Sequence, residues 1–86
     1  MKSVLFIPSA FKDYVDWNNN NKSVFEKINE LILESTRTPF KGTGKPEPLK
    51  GNYKGHWSRR ITDEHRLVYK VEDDSIKIIS CHGHYK

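Results

Sequence analysis

Residues 56–71, from His56 and Trp57 through the pair Arg59-Arg60 to Arg66, Leu67, Tyr69 and Val71, constrain the fold more than any other stretch. Aromatic and β-branched residues lie on either side of the polar run Thr62-Asp63-Glu64-His65, which predicts a strand over 57–61, a turn over 62–65 and a return strand over 66–72. Asp73-Asp74 predicts the next turn, and residues 75–82 a third strand. Alternation puts Leu67, Tyr69 and Val71 on one face, toward a core, and Arg66, Val68 and Lys70 on the other. Arg66 is thereby expected on the open face of a sheet.

The N-terminal half supplies what covers such a sheet. Residues 2–7 read as a strand, stopped by Pro8, and Ser9 is placed to cap a helix with Phe11, Tyr14 and Val15 on one face. That helix should end in the run Asn18 to Asn21, which has no apolar pattern. Ser23 and Glu26 have the spacing of a capping box, and Val24, Ile28, Leu31 and Ile32, joined by Phe25, follow helical spacing to about Arg37. The fold class is α+β: an N-terminal strand, two helices and an antiparallel β-meander. A short tail follows, and residues 1–86 form one domain without repeats or linkers.

Residues 38–55 are different in kind. Pro39, Gly42, Gly44, Pro46, Pro48, Gly51 and Gly55 punctuate them too heavily for a long element, so a loop with at most a short turn is expected. Loops of this length in small domains are usually functional or disordered. Glu47 lies between Pro46 and Pro48, and a residue before proline is driven to extended geometry. Its carboxylate is then carried on a stiffened backbone.

Size and charge limit the functions open to the chain. Its 86 residues can bury only about 60% of the unfolded surface, which leaves little room for a large cofactor pocket, and no cofactor is expected. The single cysteine, Cys81, forms no intrachain disulfide and fits a reducing cytoplasm. The apolar run at residues 4–7 is too short for a signal segment or a membrane span, so a soluble cytoplasmic protein with no membrane role is expected. The net charge is +4, but residues 41–70 hold eight Lys/Arg against three Asp/Glu. That local excess suits nucleic acid or an acidic protein, and it equally suits a solubilising surface.

Metal-free cleavage of an RNA backbone needs a base for the 2′-hydroxyl, cations for the phosphate as it becomes pentacoordinate, and an acid for the departing 5′-oxygen. Glu47, Arg66 and His84 are the residue types for these tasks, with Arg59, Arg60 and Lys50 as further cationic candidates. Plainer readings exist for each. Glu47 can pair with Lys45 or Lys50, and the arginines can line a solvated strand face. His56 and His65 read most simply as exposed polar residues, and His84-Tyr85 as a terminus without a role. Cys81, His82 and His84 are too few for a metal centre, and no metal is expected.

Lys27-Ile28-Asn29-Glu30-Leu31-Ile32, Arg37-Thr38-Pro39-Phe40, Gly44-Lys45-Pro46-Glu47-Pro48-Leu49-Lys50, Trp57-Ser58-Arg59-Arg60-Ile61-Thr62, Glu64-His65-Arg66-Leu67-Val68-Tyr69 and His84-Tyr85 together carry a resemblance. The chain resembles the YoeB/Txe toxins of bacterial type II toxin–antitoxin systems, within the RelE superfamily, over almost its whole length. The resemblance implies a RelE-like fold and a ribosome-dependent mRNA endoribonuclease that cleaves the codon in the A site, leaving a 2′,3′-cyclic phosphate. It implies Glu47 as general base, Arg66 as phosphate stabiliser, His84 as general acid and Tyr85 as an orienting or stacking residue, with Lys50 and Arg60 contacting RNA. It also implies inhibition by a YefM-like antitoxin, and a homodimer as is common in the family.

His82, Gly83 and Lys86 depart from the usual end of these toxins. Gly83, lacking a side chain, is expected to leave His84 more mobile. The competing functional reading is a non-catalytic basic module that blocks translation by occupying ribosomal RNA or an acidic partner. A gyrase poison, a third possibility, would leave Glu47, Arg66 and His84-Tyr85 without a task.

Overall fold

Pro8 both ends a strand and begins a helix, because its missing N–H costs nothing at the first helical position and its ring presets the helical φ. In the computed structural model, which describes residues 1–83, strand β1 (Ser3–Phe6) passes into helix α1 (Pro8–Asn20) through Ile7 as N-cap. Ile7 offers no side-chain cap, so the expected cap at Ser9 is corrected: Ser9 lies inside the first turn. Helix α2 (Lys22–Ser35) follows after a single residue, Asn21. The extended Asn21 donates its N–H to the Trp17 carbonyl, and its side chain accepts from the Val24 amide at 3.2 Å. Asn21 thus ends one helix and caps the next, in place of the expected Ser23–Glu26 box.

Strands β2 (Glu47–Pro48), β3 (His56–Arg60), β4 (Arg66–Val71) and β5 (Ser75–Ser80) complete one sheet of order β1-β5-β4-β3-β2. The meander β3-β4-β5 is antiparallel as expected, β1 joins β5 in parallel, and β2 pairs antiparallel with β3. The loop expectation for 38–55 is therefore amended by β2 and by a 3₁₀ turn at Gly51–Tyr53.

The helices cover one face of the sheet. Ala10, Ile28, Leu31 and Ile32 pack against Leu67, Tyr69, Ile76 and Ile78, with Ile61 and Cys81 closing the core. Each buried Leu or Ile contributes about 1.5–3 kcal/mol relative to exposure. Leu67 and Tyr69 point inward as their alternation requires, while their neighbours Arg66 and Lys70 do not join this core. Among the described residues no helix is long and apolar enough to cross a membrane.

Candidate active site on the open face of the sheet

Strand register decides which side chains meet. Glu47 is opposite Ser58, Ser58 is opposite Val68, and Val68 is opposite Ser80, so these four form one row across β2, β3, β4 and β5. The next row holds Arg60 opposite Arg66, and the row on the other side holds His56 opposite Lys70. Side chains paired in this way share a face, which here is the face turned away from the helices. Ser58 and Val68 are buried and make its floor, while Glu47 and Arg60 are exposed around it. Two strands and one row separate Glu47 from Arg66, about 12 Å between backbones from ordinary strand spacing, a span that one carboxylate and one guanidinium can close around a phosphodiester.

Glu47 owes its place to its neighbours. Pro46 and Pro48 hold it extended, and the pairing of Glu47–Pro48 with Trp57 and Ser58 turns its side chain toward the open face. The Leu49 amide donates to the His56 carbonyl at 2.9 Å, closing the strand pair. Among the described residues no ion pair to Lys45 or Lys50 takes up its carboxylate.

Arg59 is corrected. It was expected among RNA-contacting cations, yet its side chain is fully buried on the helix side of the sheet. All five of its N–H donors are engaged: Nε with the Tyr69 hydroxyl at 3.1 Å, Nη1 with Glu34 Oε2 at 2.7 Å and the Thr43 carbonyl at 3.0 Å, Nη2 with the carbonyls of Thr38 at 2.5 Å and Lys41 at 3.0 Å. The Thr43 amide, then the Thr43 hydroxyl and Arg59, hold the Glu34 carboxyl below the usual carboxylate range against the opposing effect of burial. Burial raises the Tyr69 phenol, which stays protonated and donates to the Pro39 carbonyl at 2.6 Å. Arg59 therefore fastens the first half of the loop that delivers Glu47. Gly44 fits the same clamp: at φ +86°, a Cβ there would lie 3.1 Å from Arg59 Cβ, the Arg60 carbonyl and Leu31 Cδ2.

Arg60, one residue on, points the other way. Its amide donates to the Gly44 carbonyl at 2.7 Å, its side chain is exposed, and it faces Arg66 directly across the strands. Opposed like charges cost free energy in a sheet, and an anion between them relieves that cost. Arg66 is half-buried, and its Nη1 is braced on the carbonyls of Thr62 at 2.6 Å, His65 at 3.1 Å and Asp63 at 3.2 Å, which fixes the guanidinium over the turn. Lys50 is exposed two residues after β2, where it caps the 3₁₀ turn.

The end of the described chain runs beside the first residue of β4. Gly83 donates its N–H to His65 Nδ1 at 2.9 Å, and its carbonyl accepts from the Arg66 amide at 3.0 Å. His84 and Tyr85, expected as acid and stacking residue, lie outside the described residues, as does Lys86. Gly83, which was expected to leave His84 more mobile, is itself held by these two hydrogen bonds, while His84 lies outside the described residues. His65 is also corrected from an exposed polar residue: its side chain is only 13% exposed and packs edge-on to Trp17 at 4.8 Å and against His82 at 4.7 Å between centroids. No local pattern marks it, because its partners come from α1 and from the end of the chain. A cleft of about 150 Å³ beside this cluster is lined by Asp13, Asp16, Trp17, Asn20 and His82, and its two carboxylates suit a phosphate poorly.

The family model described as YoeB-like toxin of bacterial type II toxin–antitoxin system matches residues 6–85. The toxin YoeB of Escherichia coli K12 is 54% identical over 82 residues, covering 95% of this chain and 98% of its own. Among solved structures, the YoeB/ParE toxin from Agrobacterium tumefaciens superposes with TM-score 0.94 at 48% identity, covering 99% of this chain and 100% of its own. The YoeB–YefM complex from Staphylococcus aureus gives 0.90 at 50% identity with 99% of each chain covered, and the YoeB dimer from the same organism 0.88 at 50% with 98% of each. Matched over nearly its whole length in sequence and in fold, the chain belongs to the YoeB-like toxins of bacterial type II toxin–antitoxin systems.

Proposed function

We propose that the protein is a ribosome-dependent mRNA endoribonuclease that cuts the codon in the A site. The observation that carries this reading is the shared face: Glu47, Arg60 and Arg66 lie in adjacent rows around a buried floor, and Gly83 is bonded to Arg66 one residue before His84. Glu47 takes the proton of the 2′-hydroxyl, and the 2′-oxygen attacks the adjacent phosphorus. Arg66, with Arg60 and Lys50, stabilises the added negative charge of the pentacoordinate phosphate. The P–O5′ bond then breaks, His84 gives its proton to the 5′-oxygen, and the products are a 2′,3′-cyclic phosphate and a 5′-hydroxyl. Tyr85 stacks on or orients the RNA.

Inhibition follows from the same charge. A YefM-like antitoxin with an acidic segment covers the Arg60–Arg66 face, a reading supported by the YoeB–YefM complex of the similar S. aureus protein, whose YoeB dimer likewise supports a homodimer here. Mapping mRNA 5′ ends on programmed ribosomes tests the function. New ends within the A-site codon are expected, and translation arrest without new ends would instead identify a basic module acting by occupancy.

A further inference from the structure

The mechanism above leaves one group unused: a nearly buried histidine in the β3–β4 turn, bonded to the last described residue of the chain. The proposal about it rests on the endoribonuclease reading and deepens it. His65 Nδ1 accepts the Gly83 N–H at 2.9 Å. An imidazole nitrogen that accepts carries no proton, so the neutral ring carries its proton on Nε2, and Nε2 is the atom that faces the Glu64 carboxylate, 3.9 Å away. The residue's own backbone is fixed as firmly. Its amide donates to Thr62 Oγ1 at 3.0 Å, and its carbonyl accepts from the amides of Ile61 at 3.0 Å and Thr62 at 3.2 Å and from Arg66 Nη1 at 3.1 Å.

The chain that reaches Gly83 is held at every step. The Ser80 hydroxyl bonds the His82 carbonyl at 3.1 Å, and Trp17 Nε1 donates to the Cys81 carbonyl at 2.8 Å. The Cys81 thiol is buried against the Ala10 carbonyl at 3.8 Å. The rings of Trp17, His65 and His82 lie against one another with centroids 4.7–5.5 Å apart. Gly83 has φ +86°, one of many conformations open to glycine, so its own backbone does not select a single state and outside contacts must. His65 Nδ1 and the Arg66 amide supply that hold from adjacent residues of the turn.

We infer that His65 is a positioning residue for cleavage: its Nδ1 latches the Gly83 amide and so fixes where the chain enters His84, relative to Arg66. It touches neither substrate nor reacting atoms. Its effect is on the rate at which bound RNA is cut, not on how tightly RNA is held, because the Arg60–Arg66 face and Lys50 carry the binding.

The test uses the full chain and three variants. His65→Asn places an amide oxygen near the Nδ1 position and keeps the acceptor. His65→Gln places its amide near Nε2, and His65→Ala removes both. Single-turnover cleavage of mRNA on programmed ribosomes, over a range of toxin concentrations, separates the maximal rate from the half-saturating concentration. Losing the latch is expected to lower the maximal rate roughly 10- to 100-fold in His65→Ala and His65→Gln, as for a misplacement near 1 Å, with half-saturation within about twofold of wild type. His65→Asn should recover most of the rate. Hydrogen exchange of the Gly83 amide, read by NMR without ribosomes, should be slow in wild type and His65→Asn and fast in the other two.

If cleavage is unchanged in His65→Ala although Gly83 exchange has become fast, the latch does not serve catalysis and the inference is wrong, while the endoribonuclease reading stands. Equal slowing in His65→Asn and His65→Gln would also overturn it, since acceptor position would then not matter. If wild type itself cuts nothing, the function fails, and the inference with it. Because Asn and Gln disturb the ring cluster alike, a shared loss of thermal stability with divergent rates supports the latch.

Discussion

Arg59 and Glu34 are joined at 2.7 Å beneath the loop that carries Glu47, with the guanidinium fully buried and the carboxylate about a third exposed. This pair converts what looks like an irregular Pro/Gly segment into a defined support, because the same guanidinium also holds the carbonyls of Thr38, Lys41 and Thr43. Replacing Glu34 by Ala strands a buried charge. A loss near the low end of the ~3–5 kcal/mol range for broken buried pairs is expected, since the neutral acceptors around Arg59 remain. Urea unfolding measures it, and a loss below about 1 kcal/mol would show that the pair is not the support described.

The same carboxylate sets an acid limb of stability. Its folded-state pKa is lowered from the ordinary 4.5, chiefly by the Thr43 amide, so the folded protein binds this proton less readily than the unfolded chain. The contribution is therefore complete above the unfolded value and is lost as pH falls from there through the lower folded one. Glu34→Gln should flatten the dependence of unfolding free energy on pH below about pH 5, while lowering stability at neutral pH. An unchanged acid slope would contradict this.

Cys81 is buried in the core, and burial, aided by the negative charge of Asp13, pushes its thiol up to about 12. The thiolate is the reactive form, so alkylation by iodoacetamide near pH 8 should be slow in the native state and fast once urea unfolds the chain. Equal rates in the two states would place the thiol at the surface.

The open face predicts its own electrostatics. Reversing Arg60 and Arg66 together to Glu should abolish co-purification with the YefM-like antitoxin proposed above and weaken attachment to ribosomes. An intact complex would put the antitoxin footprint elsewhere. Arg59 is excluded from that pair by its burial: Arg59→Glu would report on folding, not on docking.

How much of this is legible in the amino-acid sequence depends on the range of the interactions. The meander is, because period-two alternation from Arg66 to Val71 states which side chains face the core. So is α2, through Val24, Ile28, Leu31 and Ile32. The caps are less legible: Asn21 does the work of Ser23 because one extended residue has to close α1 and open α2. Strand β2 is hidden, since two residues, the second a proline and the first preceded by one, have no period to detect, and only pairing with Trp57 and Ser58 defines them. Arg59 and Arg60 are neighbours of the same type with opposite fates, and only their opposite facing in β3 separates a buried clamp from an exposed cation. His65 is the extreme case, because each ring that packs on it comes from more than fifteen residues away.

The proposed cleavage requires Glu47 and Arg66 to act on one phosphodiester. The direct measurement is single-turnover cleavage of mRNA on programmed ribosomes by Glu47→Ala and Arg66→Ala beside wild type, with ribosome binding measured in parallel. Wild type should leave a 2′,3′-cyclic phosphate at the A-site codon. Each variant should cut at least roughly 100-fold more slowly, the scale of a lost general base or charge stabiliser, while Glu47→Ala still binds. Cleavage by both variants at the wild-type rate would contradict the account.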